Sequence, residues 1–145
     1  MGRVRRDEQG YTLLEILIVM IIIGVLVATV GPELFNRVNQ AEQTAAKNQI
    51  NVLKIALDNY RLDNGQYPTT QQGLTALIAN PTTPPLARNW LGPYLEKQEL
   101  PLDPWGYQYN YQSPGKNNQH KYDLWSYGAD NREGGTGEKA DVTNW

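Results

Sequence analysis

Glu15 is the one charged side chain in the run from Tyr11 to Val30, YTLLEILIVMIIIGVLVATV. A carboxylate placed there calls for a cation. About 20 residues at a rise of about 1.5 Å each match a hydrocarbon layer about 30 Å thick, so the run predicts a membrane-crossing helix. An ionised side chain within that layer costs on the order of 2.5 to 3.5 kcal/mol on insertion scales and marks a functional position whose partner should be named. The partner predicted here is an amine, which the chain itself could supply if its basic leader, MGRVRRDEQG, were removed. Gly10 is small and stands at the junction between leader and apolar run.

A second group of chemically able residues lies in the tail, Gly128 to Val142. It offers carboxylates and carbonyls on a stretch that glycines allow to fold back on itself, and calcium takes six to eight such oxygens. Spacing alone leaves a calcium loop and an acidic flexible loop equally open, since the pattern is not that of an EF-hand. Catalysis finds less support. His120 is the single histidine and there is no cysteine, which disfavours nucleophilic triads and zinc alike. Asp103 with Asp63 or Asp123 could form a carboxylate pair of the glycosidase kind, but nothing in the sequence brings them together. Trp90, Trp105, Trp125 and Trp145 could line a sugar-binding surface, although aromatic residues at strand and turn positions more often build a core, the expectation for Trp105 and Trp125.

The elements that must position these residues follow from pattern. Arg3, Arg5 and Arg6 outweigh Asp7 and Glu8 in the leader, so the positive-inside bias holds the N-terminus in the cytoplasm and sends the rest across. A secretory signal peptide would need a small-residue cleavage motif beyond Val30, where Gly31-Pro32-Glu33-Leu34-Phe35 stands instead. Past Pro32 the helix is predicted to continue to about Leu62, with Ala46, Ile50, Leu53, Leu57 and Tyr60 at alternating spacings of four and three as its apolar face. Lys47, Lys54 and Arg61, among Glu42, Asp58 and Asp63, read as a solvated face or as rim charges between subunits. Asp63-Asn64-Gly65 is a stop signal. Thr69 or Thr70 is expected to cap a short helix through Asn80, Pro81 to Pro93 reads as loop, and Leu100 to Gly106 as a turn around Trp105. Tyr107–Tyr111 and Tyr122–Tyr127 alternate with period two and predict an antiparallel pair. With 145 residues there is room for one globular domain beyond the helix. Mean hydropathy is −0.57 despite the apolar run, so the remainder is strongly polar. A net charge of −2 without a basic patch argues against nucleic acid as a partner.

The residues Gly10-Tyr11-Thr12-Leu13-Leu14-Glu15, with Gly24 and Pro32, resemble the class III signal of type IV pilins and pseudopilins. YRLDNGQYPTTQQGLTALIANP, LPLDPWGYQYNY and YDLWSYGAD with the following EGG resemble, more narrowly, the major pseudopilins of type II secretion systems, over nearly the whole chain beyond the leader. The resemblance implies an α+β, type IV pilin-like fold: leader 1–10, membrane and polymerisation helix 11–31, and a periplasmic domain 32–145 with a small antiparallel sheet. It implies that a prepilin peptidase cuts between Gly10 and Tyr11 and N-methylates Tyr11, and that Glu15 pairs with the Tyr11 amine of a neighbouring subunit. An α-amino group is mostly protonated near neutral pH, and pairing in low dielectric relieves two desolvation costs together. Between Gly24 and Pro32 the helix is expected to loosen on assembly.

The same resemblance implies a single-pass protein of the inner membrane. Its partners would be other copies of itself, minor pseudopilins, an assembly platform with its ATPase, and a secretin, with no enzymatic activity of its own. It also implies one Ca²⁺ held by the carbonyls of Tyr127, Lys139 and Val142 and the side chain of Asp130. Gly137 falls where the family has a second aspartate, so Glu138 or Asp141 would have to supply the missing oxygen. Two rival readings are a type IV pilus subunit, whose usual C-terminal disulfide this cysteine-free chain cannot make, and a membrane-anchored periplasmic binding or hydrolytic module.

Overall fold

The computed structural model describes residues 11–145. Thr12 opens the first element. Its Oγ1 accepts the Glu15 N–H at 3.2 Å, and its carbonyl accepts those of Glu15 and Ile16 at 3.0 and 3.2 Å, so donors that a helix start leaves open are engaged. α1 then runs Leu13–Asn64, 52 residues, straight through Pro32. Proline has no N–H to return to the Ala28 carbonyl, and the helix carries that one missing bond. It ends at the predicted stop: Gly65 adopts a φ of 81° and returns its N–H to the Arg61 carbonyl at 2.7 Å. Glycine takes that left-handed cap without a Cβ clash.

The chain divides after Val38 into two units. In the first, every residue from Tyr11 to Val30 is exposed, and its most apolar window reaches a mean hydropathy of 3.0. So long an uncovered apolar surface is that of a membrane anchor. Thr29 adds no unsatisfied group, because its hydroxyl lies 3.1 and 3.0 Å from the carbonyls of Val25 and Leu26.

The second unit, Asn39–Trp145, has its own core. Ala46, Ile50, Leu53, Leu57 and Tyr60, the predicted stripe, are all buried, joined by Ala56 on the same helix. Leu74, Ala76, Leu77, Leu95, Tyr109, Tyr122, Leu124 and Val142 close over it. The expected short helix shrinks to one 3₁₀ turn, Leu74–Leu77, because Gly73 at its start sits at φ 60° and breaks the helical path. Thr69 and Gln72 instead bond each other's backbone N–H at 3.2 and 2.9 Å. The Gln72 amide then donates to the carbonyls of Thr83 and Pro85, both at 2.8 Å, which organises the proline-rich loop.

The sheet has three antiparallel strands in the order β1, β2, β3: Asn110–Gln112, Asp123–Ser126 and Val142–Thr143. Both predicted strands exist but are shorter than the alternating runs, and β3 was not anticipated. Trp125 departs from its expected core position. On β2 it is Leu124 and Ser126 that face inward, while Trp125 lies on the other side of the sheet, edge to face with Tyr127 and Trp145. Trp105 does pack against the core, partly buried.

Candidate assembly and cation sites

Tyr11 and Glu15 lie at the exposed start of α1. The spacing Thr12-x-x-Glu15 is that of a capping box, with Glu15 at the third helical position, where a carboxylate is also favoured by the helix dipole. The Thr12 half of that motif forms, and its signal in the sequence, Thr-x-x-Glu before an apolar run, was missed. Gly10 and the leader cleavage expected there fall outside the described residues.

The charged residues of the second half of α1 do face solvent, with Lys47, Asp58 and Arg61 exposed and none buried, but several of them also hold loops. Glu42 accepts the Trp105 indole N–H at 3.0 Å, Asp58 accepts the Tyr67 hydroxyl at 2.8 Å, and Asp63 accepts the Tyr94 hydroxyl at 2.8 Å. Arg61 lies over the Tyr67 ring, 5.1 Å from its centroid. Each ties a loop to the helix. Lys47 stays exposed and Lys54 half-buried.

No carboxylate pair forms. Asp103 is buried, its Oδ1 accepting the N–H groups of Trp105 and Tyr107 at 3.1 and 2.8 Å and its Oδ2 the Ser126 hydroxyl. Asp123 is buried at the start of β2, where the Asn117 and Asn118 N–H groups of the β1–β2 loop reach it at 2.8 and 2.9 Å and the Asn117 amide at 3.1 Å. Burial pushes the Asp123 carboxyl up, but these hydrogen bonds together outweigh it and leave the group below its ordinary value. Burial, helped by the Asp103 charge, pushes the Tyr109 phenol up. His120 is exposed in the loop between β1 and β2. These groups hold turns rather than a reacting centre.

The tail closes on itself. Ala129 donates to the Glu138 carbonyl at 3.1 Å, and Gly128, at φ 72°, packs so tightly that a Cβ would lie 2.8 Å from the Ala140 carbonyl. Gly134 donates to Asp141 Oδ2 at 3.0 Å, and Arg132 to Asp130 Oδ1 at 3.3 Å. Among the described residues no three His, Cys, Asp or Glu side chains gather as a metal cluster, so backbone oxygens would have to supply most of any coordination. Several are available: no hydrogen bond in the described loops ends on the Tyr127 or Lys139 carbonyl. Asp141 Oδ1 is buried with no partner. An all-oxygen set with a carboxylate atom left over suits a hard cation such as Ca²⁺. Glu138 is exposed, and its carbonyl is already taken by Ala129.

Residues 33–145 match the family described as Type II secretion system (T2SS), protein G, and residues 5–31 match the prokaryotic N-terminal methylation motif. The chain is 48% identical to the type II secretion system core protein G of Pseudomonas aeruginosa, covering 97% of both chains. It is 45% identical to that of Escherichia coli K12, over 99% of this chain and 94% of the relative. In structure it is similar to the crystal structure of the major pseudopilin from the type 2 secretion system of enterohaemorrhagic Escherichia coli. That likeness has a TM-score of 0.66 and 37% identity, over 79% of this chain and 95% of the other. With an exposed apolar helix, a small antiparallel sheet and matches along nearly its whole length, the chain belongs to the type II secretion system protein G family, the major pseudopilins.

Proposed function

We propose that the chain is cut between Gly10 and Tyr11, methylated at Tyr11, and polymerised as the major subunit of a periplasmic pseudopilus that drives folded proteins through an outer-membrane secretin. In this reading it is a structural subunit of the inner membrane and not an enzyme. Its partners are its own copies, minor pseudopilins, the prepilin peptidase, the assembly platform and the ATPase. The observation that carries the proposal is the apolar half of α1, exposed throughout and charged only at Glu15, one turn from its start. Copies stacked through that surface bury it against each other, and Glu15 meets the Tyr11 amine of the next copy, which sets the register. The tail loop binds one Ca²⁺ through Asp130, the carbonyls of Tyr127, Lys139 and Val142, and a further oxygen from Glu138 or Asp141. Bound calcium would stabilise the fold in proportion to the logarithm of its free concentration over Kd.

Glu15→Gln separates the two roles of this residue. Glutamine serves at the third position of a capping box as glutamate does, but it carries no charge for the amine. The variant is expected to stay in the membrane with α1 intact and to lose both secretion and the cross-link between cysteines placed near positions 11 and 15 of adjacent copies. Assembly and secretion at the unsubstituted level would overturn the ion-pair reading.

A further inference from the structure

Within Asn39–Trp145, α1 carries a second uncharged stripe besides the buried one. Ala41, Ala45 and Asn48, then Val52, Ile55, Asn59 and Leu62, recur at alternating spacings of four and three, and all of them are exposed. Val52, Ile55 and Leu62 are 49, 63 and 81% exposed. The same spacing counted back along the sequence reaches Val38 and Leu34, also exposed and uncharged. A helix face that meets only water carries charge, as Lys47, Lys54 and Arg61 do beside this stripe. A period of about 3.5 residues is instead what a coiled coil buries in its seam.

The residue types along the stripe select the partner. Ala45, Val52 and Asn59 take the a positions of a heptad, and Ala41, Asn48, Ile55 and Leu62 the d positions. Val at a, Leu at d and an Asn at a favour two parallel strands. With two copies at zero offset, Asn48 meets Asn48 and Asn59 meets Asn59, so each amide finds another. A slip of one heptad sets Asn59 against Val52 and Asn48 against Ile55 or Ala41, which leaves the amides without partners. The membrane favours the first arrangement, because two copies anchored through Tyr11–Val30 enter from one side at one depth and are held parallel at high local concentration. Beside the stripe, Gln49, Val52, Leu100 and Leu102 line an open cleft of about 590 Å³, so the loops of the second unit leave room for another helix.

We infer that two copies in one membrane pair in parallel, without offset, along the stripe Ala41–Leu62, and that they do so before the leader is removed. The inference rests on the membrane reading of Tyr11–Val30 but not on cleavage or polymerisation. The proposed fibre needs a different arrangement, since Glu15 reaches the Tyr11 amine of the next copy only with an offset of about four residues, or about 6 Å. The pair is therefore a waiting form that must slide or separate before a subunit enters a fibre. Asp58 and Asp63, at the g and e positions that face each other across such a seam, repel and keep it weak enough to part.

Because the chain has no cysteine, single cysteines report the contact directly. The full chain with its leader is placed in lipid vesicles without a peptidase, where no Tyr11 amine is released, and is then oxidised. Val52→Cys and Ile55→Cys are expected to give disulfide-linked dimers at least tenfold above Lys54→Cys. In an equal mixture of Val52→Cys and Asn59→Cys each should link to its own kind, and a majority of mixed dimers would refute the zero offset. Val52→Lys added to Ile55→Cys should abolish the link and leave the melting of the second unit unchanged, since that side chain is half exposed. No dimer from vesicle-bound chain, or an equal yield from Lys54→Cys, overturns the pairing and leaves the fibre proposal standing. A chain that does not float with the vesicles overturns the membrane reading and the pairing together.

Discussion

Asp103 offers a sharp test of how the second unit is held. The carboxylate is 5% exposed and joins two distant pieces of chain: the turn through Trp105 and Tyr107 on one oxygen, and Ser126 at the end of β2 on the other. Ser126 in turn accepts the Gly128 N–H at 3.1 Å, where the tail loop departs. Asp103→Ala removes an ionised acceptor from three donors, one of them the fully buried Ser126 hydroxyl. Hydrogen bonds to charged groups contribute about 1.5–3 kcal/mol each, and water can partly replace the two backbone contacts, so the expected loss is about 3–5 kcal/mol.

Asp103→Asn is milder. Its oxygen can keep both backbone N–H groups, but its amide then faces the Ser126 oxygen and the hydroxyl hydrogen loses its acceptor, for a cost of about 1–2 kcal/mol. Combining it with Ser126→Ala should cost less than the sum of the two single changes by about 1 kcal/mol, because both break the same contact. The assay is denaturation followed by tryptophan fluorescence, since all four tryptophans lie beyond Asn39 and report on this unit alone. At about 4–8 °C per kcal/mol for a domain of this size, Asp103→Ala should lower Tm by well over 10 °C. A shift of only a few degrees, or strictly additive single and double variants, would refute the role given to this carboxylate.

Other expectations follow from equally local contacts. Gly128→Ala forces a side chain into a left-handed backbone and against the Ala140 carbonyl, and should cost about 1–3 kcal/mol in the same melts. Because the Asp123 pKa is lowered from 3.8, its contribution is complete above that value and fades as pH falls through the folded one. Asp123→Asn should therefore be less stable at neutral pH and lose less of its stability on acidification below about pH 4. Tyr109→Phe removes a buried hydroxyl that has no partner and should leave Tm unchanged or raise it, with a fall of several degrees counting against that description. Glu42→Gln weakens the acceptor of the Trp105 indole and should cost about 0.5–1.5 kcal/mol, with a shift in Trp105 fluorescence.

What could be read from the residues was set by period and by stop signals. The four-and-three spacing of Ala46, Ile50, Leu53, Leu57 and Tyr60 found the buried face of α1, because one helix against one core leaves a single stripe to bury. Asp63-Asn64-Gly65 marked its end to within two residues. Strand orientation was less accessible. In YDLWSY both parities carry large side chains, so period two shows a strand without showing its inner face, and the buried set proved to be Tyr122, Leu124 and Ser126, joined by Asp123. β3 is two residues long and shows no alternation; it exists because β2 offers it an edge. The acids of α1 could not be assigned partners, since Trp105, Tyr67 and Tyr94 reach them from 63, 9 and 31 positions away. In the tail, composition gave the oxygen-bearing residues but not the way the loop folds back, which depends on contacts such as Ala129 to the Glu138 carbonyl and Gly134 to Asp141.

In the proposed fibre, Glu15 would serve the single subunit and the assembly alike. At the third position of α1 its carboxylate stands near the uncompensated N–H groups of the helix start, an interaction worth about 0.3–1 kcal/mol on exposed helices. That is well short of the cost on the order of 2.5–3.5 kcal/mol for a charge at the centre of a bilayer, and the position near one end of the apolar run narrows the gap without closing it. A lone subunit can therefore insert but keeps a residual penalty. In the proposed fibre an amine from the next copy would remove that penalty, while a longer apolar helix or a second cap would not. The same reasoning orders three variants by assembly: unsubstituted glutamate first, then Glu15→Gln and Glu15→Leu together at the bottom, with Glu15→Leu inserted at least as well as the unsubstituted chain. Should Glu15→Leu assemble better than Glu15→Gln, apolar cohesion rather than charge would be setting the register, and the carboxylate would be left with its capping role alone.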